Sequence, residues 1–374
     1  MSQARIRIGV IGANAEYGWS PRAHMPALLG LQDYEVAAIC TTHEDTSRAA
    51  ARKFNVPLAF HDHLEMLARP DIEAVSVVVK APLHYRLSMD ALNAGKHVYT
   101  EWPLGADLKE ARELADLAAA RGVCTMVGLQ GRCSPELLRL KELVAEGYVG
   151  EVISCRMGQY TPGILERPSD RSWQRDRKLG AGTLNIVAGH ALDCFCMCVG
   201  EFAEVSAVVA TQVKQWRETD TGHMVDVTAP DNVLVSGTLS SGAVASANVA
   251  SVPYHASGYS IEVYGREGTL VVTQTGGAYA WMGEVRLQGA RGRDGSVQNL
   301  SVPERLAPRL EGVPPGPPLN VARMYLRFAE AIRTGGRVEP DFKTALVRHE
   351  LLEAIQRSSD EGRMVALQPT VEGV

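Results

Sequence analysis

Residues 5–29 read RIRIGVIGANAEYGWSPRAHMPALL. An apolar strand pattern runs from Arg5 to Gly12, a loop follows as far as Trp19, and a helical pattern starts at Ser20. A glycine turn between a strand and a helix lets main-chain N–H groups approach a pyrophosphate at a helix N-terminus. The spacing is a loosened G-x-G-x-x-G. Asn14 stands at the second glycine, where its short side chain tolerates a positive φ, and the third glycine comes one residue late as Gly18. On pattern alone this could be a plain tight turn. Its place after the first strand and before a helix favours a dinucleotide cradle formed by Gly12, Asn14, Ala15, Tyr17, Gly18 and Trp19.

The chain beyond this loop keeps the same rhythm to about residue 130. Short apolar runs, YEVAAIC, AVSVVV, HVYTE and CTMVGL, alternate with segments such as EDTSRAAARKF and LKEARELADLAAARG, whose apolar residues recur at three and four. Strands alternating with helices imply βαβ units and a parallel sheet, hence an α/β chain opening with a doubly wound Rossmann-type domain over 1–130. From Glu151 the runs lengthen and alternate, as in EVISCRMGQY, NVLVSGTL and VASANVASV, separated by Gly or Ser-Gly turns. That pattern predicts a C-terminal α+β domain over 131–374 with a large open, mainly antiparallel sheet. The stretch from Arg291 to Pro318 reads as a loop. Amphipathic helices near 319–360 follow, free to pack back on the first domain.

At 374 residues the chain exceeds what one core usually organises. A net charge of −5 gives no basic footprint, so a small-molecule substrate is expected, with neither nucleic acid nor a membrane as partner. No eighteen consecutive apolar residues occur and the N-terminus lacks a signal-peptide pattern, which makes the cytoplasm the expected location. The seven cysteines are an odd, scattered set apart from Cys194, Cys196 and Cys198. They read as buried thiols rather than a metal site, and no metal is expected.

The end of the second strand normally selects the cofactor, because an acid there binds the adenosine ribose and repels a 2′-phosphate. Here it reads Cys40-Thr41-Thr42-His43, so NADP or dual use is favoured over strict NAD, with Thr41 and Thr42 as contacts.

The runs DIEAVSVVVKAPLHY (71–85) and ALNAGKHVYTEWPL (91–104) resemble the signature of the glucose-fructose oxidoreductase / inositol dehydrogenase (Gfo/Idh/MocA) family. The segments GAGTL and GHALD and the closing helices extend the resemblance over essentially the whole chain. It implies NAD(H) or NADP(H) on the first domain, a second domain covering the nicotinamide, and a homodimer or homotetramer. Typical members oxidise or reduce a sugar or polyol hydroxyl with the Lys of Glu-Lys-Pro, an Asp, and a His four residues after it. Only the His is matched, as His190. Trp102 stands for the lysine and Ile186 for the aspartate, and Lys80-Ala81 replaces a Pro-Asn pair. Within the family, the first loop, Glu-Trp-Pro and the LQGRCSP run are similar to those of the fungal galactose-regulon repressors, which bind NAD(P) as regulators.

Two functions follow as expectations: an NAD(P)-dependent oxidoreductase on a carbohydrate-like hydroxyl or carbonyl compound, or a catalytically silent NAD(P)-binding regulator. For the first, His190, Asp193 and Lys80 are the catalytic candidates. His190 and Asp193, three apart on a helix, share a face, so the carboxylate could orient the imidazole. His84, Glu101, Trp102, Gln130 and Arg132 complete the expected cofactor contacts. Glu101 would bind a ribose hydroxyl, Trp102 would stack on the nicotinamide or substrate, and Arg132 would pair with an anionic group or form a structural salt bridge. Tyr160, Trp173 and Lys178 are the expected substrate-pocket residues.

Overall fold

A computed structural model describes residues 4–275, 279, 282–293 and 295–368. The chain divides into two compact units. One comprises Met1–Gln130 with Arg309–Leu346, the other Gly131–Pro308 with Val347–Val374.

The first unit is built on a six-stranded parallel sheet of β1 (Ile6–Ile11), β2 (Tyr34–Cys40), β3 (Leu58–Phe60), β4 (Ala74–Val77), β5 (His97–Glu101) and β6 (Thr125–Gly128), in the order β3-β2-β1-β4-β5-β6. The apolar runs of β1, β4 and β6 are buried nearly throughout, as strands covered on both faces require. Helices α1 (Met25–Gly30), α2 (Glu44–Phe54), α3 (His63–Leu67), α4 (His84–Asn93) and α5 (Leu108–Arg121) connect them. Asp107 caps α5 by accepting the Glu110 N–H, and Gly122 ends it in the left-handed conformation. The helical pattern at Ser20 begins with a wide turn, Ser20–His24, in which the Met25 N–H reaches back to the Ser20 carbonyl. Pro26 has no N–H to continue the ladder there, which accounts for the wider spacing. Helix α8 (Pro317–Thr334) belongs to this unit, where Tyr325 stacks on Tyr99 with ring centroids 4.9 Å apart.

The second unit holds α6 (Pro135–Ala145), α7 (Gly189–Val199) and most of α9 (Phe342–Glu361). Its nine-stranded sheet uses β7 (Val152–Pro162), β9 (Phe202–Ala210), β12 (Asn232–Leu239), β13 (Val244–Val252), β14 (Gly258–Gly265), β15 (Gly268–Gln274), β16 (Arg286–Arg291), β17 (Gln298–Asn299) and β18 (Val365–Ala366). The order is β17-β16-β15-β14-β7-β13-β12-β9-β18, with β7 and β13 parallel and the other pairs antiparallel. A small sheet of β8 (Glu166–Arg167), β10 (Gln215–Glu218) and β11 (Met224–Asp226) lies in the same unit. The segment Arg177–Val199 is long and apolar enough to cross a membrane by length and composition. It is 78% buried inside the chain and contacts β7 and β14 through α7, the environment of a core helix.

Candidate functional site

In an open parallel sheet, ligands bind beyond the carboxyl ends of the strands where the strand order reverses, which here is between β1 and β4. Gly12 sits at that point with φ +90°, and a Cβ on it would lie 2.1 Å from the Val78 carbonyl oxygen. Only glycine fits. Gly18, φ +97°, has open space where its side chain would be. Asn14 does not use a positive φ. Among the described non-glycine residues only Asn55 has one. Instead the Asn14 carboxamide oxygen accepts from the N–H groups of Glu16 (2.8 Å) and Tyr17 (3.3 Å), so the side chain, not the backbone angle, shapes the loop.

Two donors at the end of this loop, Trp19 Nε1 and Ser20 Oγ, are buried and have no hydrogen-bond partner among the described residues. Buried donors are ordinarily paired, so an acceptor-rich group such as a pyrophosphate suits this cradle. Ser20 and Lys53, whose ammonium donates to the Ala15 carbonyl, escaped the sequence reading because neither belongs to the glycine pattern. At the end of β2, Thr41 turns back to Thr46 and the His43 carbonyl, while Thr42 is exposed. The nearest acid along the chain, Glu44, is paired with Arg48 on α2.

Three of the expected cofactor contacts have hydrogen-bond partners within the chain. His84 is buried, with Nδ1 2.6 Å from the Pro103 carbonyl oxygen and Nε2 3.1 Å from that of Val79. A neutral ring has one N–H and donates to one of these carbonyls, the nearer being that of Pro103, so the backbone fixes the ring's orientation. Burial lowers its pKa below the usual histidine range, against the opposing pull of the two carbonyls. Glu101 accepts from His24 Nε2 (2.9 Å) and, on both oxygens, from Gln130 Nε2 (2.8 Å each). Glu101 and Gln130 thus belong to one buried hydrogen-bond network. A carboxylate only accepts, so His24 donates to Glu101 through Nε2, and its Nδ1 lies 2.7 Å from the Tyr325 hydroxyl. That hydroxyl lies 2.8 Å from the hydroxyl of Ser76. A Cβ at Gly128 would fall 2.3 Å from Glu101 Oε1, so the glycine makes room for the carboxylate. Trp102 follows Glu101 and is 4% exposed, so its indole is packed within the chain and is no open stacking plate. Lys80 is exposed at the end of the β4 crossover and forms no ion pair among the described residues.

In the second unit His190 and Asp193 lie in α7, both buried. Asp193 is bound by more than the helix it shares with His190. Its two oxygens accept from Arg132 Nε and a terminal nitrogen, both at 2.9 Å, and Arg348 Nε stands 3.5 Å away, near enough for charge but not aligned as a hydrogen bond. Arg132 is therefore held in a salt bridge, the second of its two readings. Arg348 is wholly buried and forks onto Glu201. Burial pushes the Asp193 pKa up, but Arg132, Arg348 and His190 more than offset this and hold it below the usual carboxylate range. Burial raises the neighbouring thiols, that of Cys198 to about 12, so they stay protonated. Tyr160 is displaced from the expected pocket by strand periodicity. Its neighbour Gln159 faces the same side as Tyr259, whose hydroxyl donates to the Ala191 carbonyl of α7, so Tyr160 points to the opposite face. Trp173 and Lys178 do share an open depression of about 600 Å³ with Asp176 and Asp226. Ile186 lines a separate, smaller cavity.

These features define a two-unit protein with a dinucleotide-type cradle on a parallel sheet, joined in sequence to an open-sheet unit. Residues 6–129 match the family described as oxidoreductase family, NAD-binding Rossmann fold, and residues 135–274 match the Gal80p C-terminal domain. The two matches together are consistent with a member of the Gfo/Idh/MocA family. It is 30% identical to the galactose/lactose metabolism regulatory protein GAL80 of Saccharomyces cerevisiae over 64% of this chain and 59% of that one. It is 26% identical to levoglucosan dehydrogenase of Pseudarthrobacter phenanthrenivorans over 95% and 97%. The NAD binding oxidoreductase structure from Klebsiella pneumoniae superposes with a TM-score of 0.84 at 25% identity, covering 98% of this chain and 100% of that one. The chain spans 57% to 59% of the length of the first curated relatives it matches.

Proposed function

We propose that the chain is an NAD(P)-dependent oxidoreductase that moves a hydride between the nicotinamide and a carbohydrate-like hydroxyl or carbonyl compound. The observation that carries this reading is the cradle at the β1/β4 switch point, with Gly12 closed against Val78 and two buried donors, Trp19 Nε1 and Ser20 Oγ, left for acceptors. The full-length match to levoglucosan dehydrogenase supports the substrate class. When bound, the nicotinamide supplies the hydride acceptor or donor. Gly12, Gly18, Trp19 and Ser20 would hold the dinucleotide, and the tip of β2, without a free acid, suits NADP as well as NAD. His190 would hold or give the proton at the reacting oxygen. Trp102 brings an indole N–H and no charge, so it cannot replace the family's lysine in stabilising a developing alkoxide.

The regulator reading retains one specific support, the Gal80p-type match over 135–274 together with Glu-Trp-Pro. Fluorescence titration with NADH and NADPH, followed by a panel of sugars and polyols read at the reduced-nicotinamide absorbance band, separates the two. Binding with turnover is the expected result. Tight binding without turnover on a broad panel leaves the regulator, and failure of both dinucleotides to bind defeats both readings.

Gly12→Ala provides a local check on the cradle. The left-handed conformation costs a Cβ-bearing residue roughly 1–2 kcal/mol. The overlap with the Val78 carbonyl adds to that cost. Because this cost falls on the folded chain with and without ligand, Gly12→Ala should be less stable by about 1–2 kcal/mol or more, read by differential scanning calorimetry.

A further inference from the structure

The smaller cavity of the second unit encloses about 100 Å³ and is lined in part by Arg167, Arg171, Trp216, Thr161, Thr183 and Ser251. Arg167 closes β8, and its guanidinium lies over the Trp216 ring at 5.4 Å from the centroid. Its Nε is buried without a hydrogen-bond partner among the described residues, and no ion pair is formed by the side chain among them. The carboxylates beside it are engaged elsewhere: Glu166 with Arg217, and Glu218 with the hydroxyls of Ser172 and Thr221. Arg171 adds a second positive charge to the same cavity. Burial draws the Arg167 guanidinium below its usual value; Tyr279 opposes this and the like charge of Arg171 reinforces it.

A half-buried guanidinium whose Nε is unpartnered, with a second, exposed guanidinium on the same lining, is costly unless an anion joins them. Guanidinium forks match the planar oxygens of a carboxylate. On the same lining, Ser251 Oγ lies 2.7 Å from Thr183 Oγ1 and 3.2 Å from Thr161 Oγ1, a short row of buried hydroxyls suited to hydroxyl groups. The match extends to a ligand with both functions.

We propose that this cavity takes the carboxylate end of a polyhydroxylated acid, making the substrate a sugar acid or hydroxy acid rather than a neutral sugar. This rests on the oxidoreductase reading for turnover but not for binding. The test is calorimetric titration of D-glucuronate and D-glucose into the NADH-loaded protein, wild type, Arg167→Met, Arg171→Gln and Arg167→Lys. The expected result is glucuronate binding at least about tenfold tighter than glucose, reduced at least about tenfold in Arg167→Met and in Arg171→Gln and partly kept in Arg167→Lys, as loss of one charged fork contact implies. NADH affinity should be unchanged in all three. Arg171 is exposed, so Arg171→Gln carries the test if Arg167→Met does not fold.

Glucuronate binding no tighter than glucose, or binding indifferent to both arginines, overturns the proposal. Turnover of neutral sugars that is unaffected in Arg171→Gln also overturns it and leaves the oxidoreductase reading standing. Arginine-dependent glucuronate binding without turnover of any acid upholds the site and removes the oxidoreductase reading.

Discussion

Asp193→Ala is expected to destabilise the second unit by about 3–5 kcal/mol, the usual cost of stripping the partner from a buried ion pair. Asp193 is 1% exposed and lies between Arg132, which holds both its oxygens, and Arg348, which is 0% exposed. Removing the carboxylate takes a shared counter-charge from two guanidiniums in the core, of which Arg348 keeps Glu201. A loss of that size should lower the unfolding temperature by roughly 6–20 °C, read by differential scanning calorimetry. Asp193→Asn keeps the shape and should lose less. The pH dependence has a definite sign. The folded pKa of Asp193 is depressed, so its contribution is present above the unfolded value near ~3.9 and is lost as pH falls through the folded one. The difference between wild type and Asp193→Asn should therefore be constant above about pH 5 and shrink below pH ~4. A difference that persists undiminished in acid would show that the charge is not what Asp193 contributes.

The pairing behind that prediction was not legible in the sequence, whereas the elements it joins were. YEVAAIC is β2 residue for residue, HVYTE is β5, and EDTSRAAARKF is α2, because strand and helix periodicity are local properties. The alternating runs after Glu151 likewise became β7, β9 and β12 to β15. What escaped was short or non-local. β3 is three residues with little burial, and β8, β10 and β11 are too brief to show a period. The parallel pairing of β7 with β13 depends on where the chain returns, which no local pattern records.

The site follows the same division. The Gly12 turn was readable because a conformational demand falls on one residue. The three-residue spacing of His190 and Asp193 is local and legible, whereas the arginines on Asp193 lie 61 and 155 residues away and are not. His24 was not singled out at all; only the fold brings it between Tyr325 and Glu101. The arginines at 167 and 171 look like ordinary surface charges in sequence, and their meaning comes from the cavity they share.

His190→Ala is expected to lower kcat by about 10²–10⁴, the range contributed by a positioned general acid or base, with dinucleotide affinity unchanged. Of the three groups that the family resemblance assigns to proton chemistry, Trp102 and Ile186 replace two with side chains that cannot exchange a proton at neutral pH. The load then falls on the third. His190 sits in the first turn of α7 at 7% exposure, three residues from a carboxylate that Arg132 already occupies on both oxygens. His190→Ala should also lose the limb of the pH dependence of kcat that the imidazole creates. Added imidazole should restore part of the turnover of His190→Ala if the ring acts as an acid or base, whereas a purely structural ring would not be replaced in this way. Full turnover in His190→Ala would remove His190 from the reaction, and the proton would then have to be carried by a group that the family pattern does not indicate.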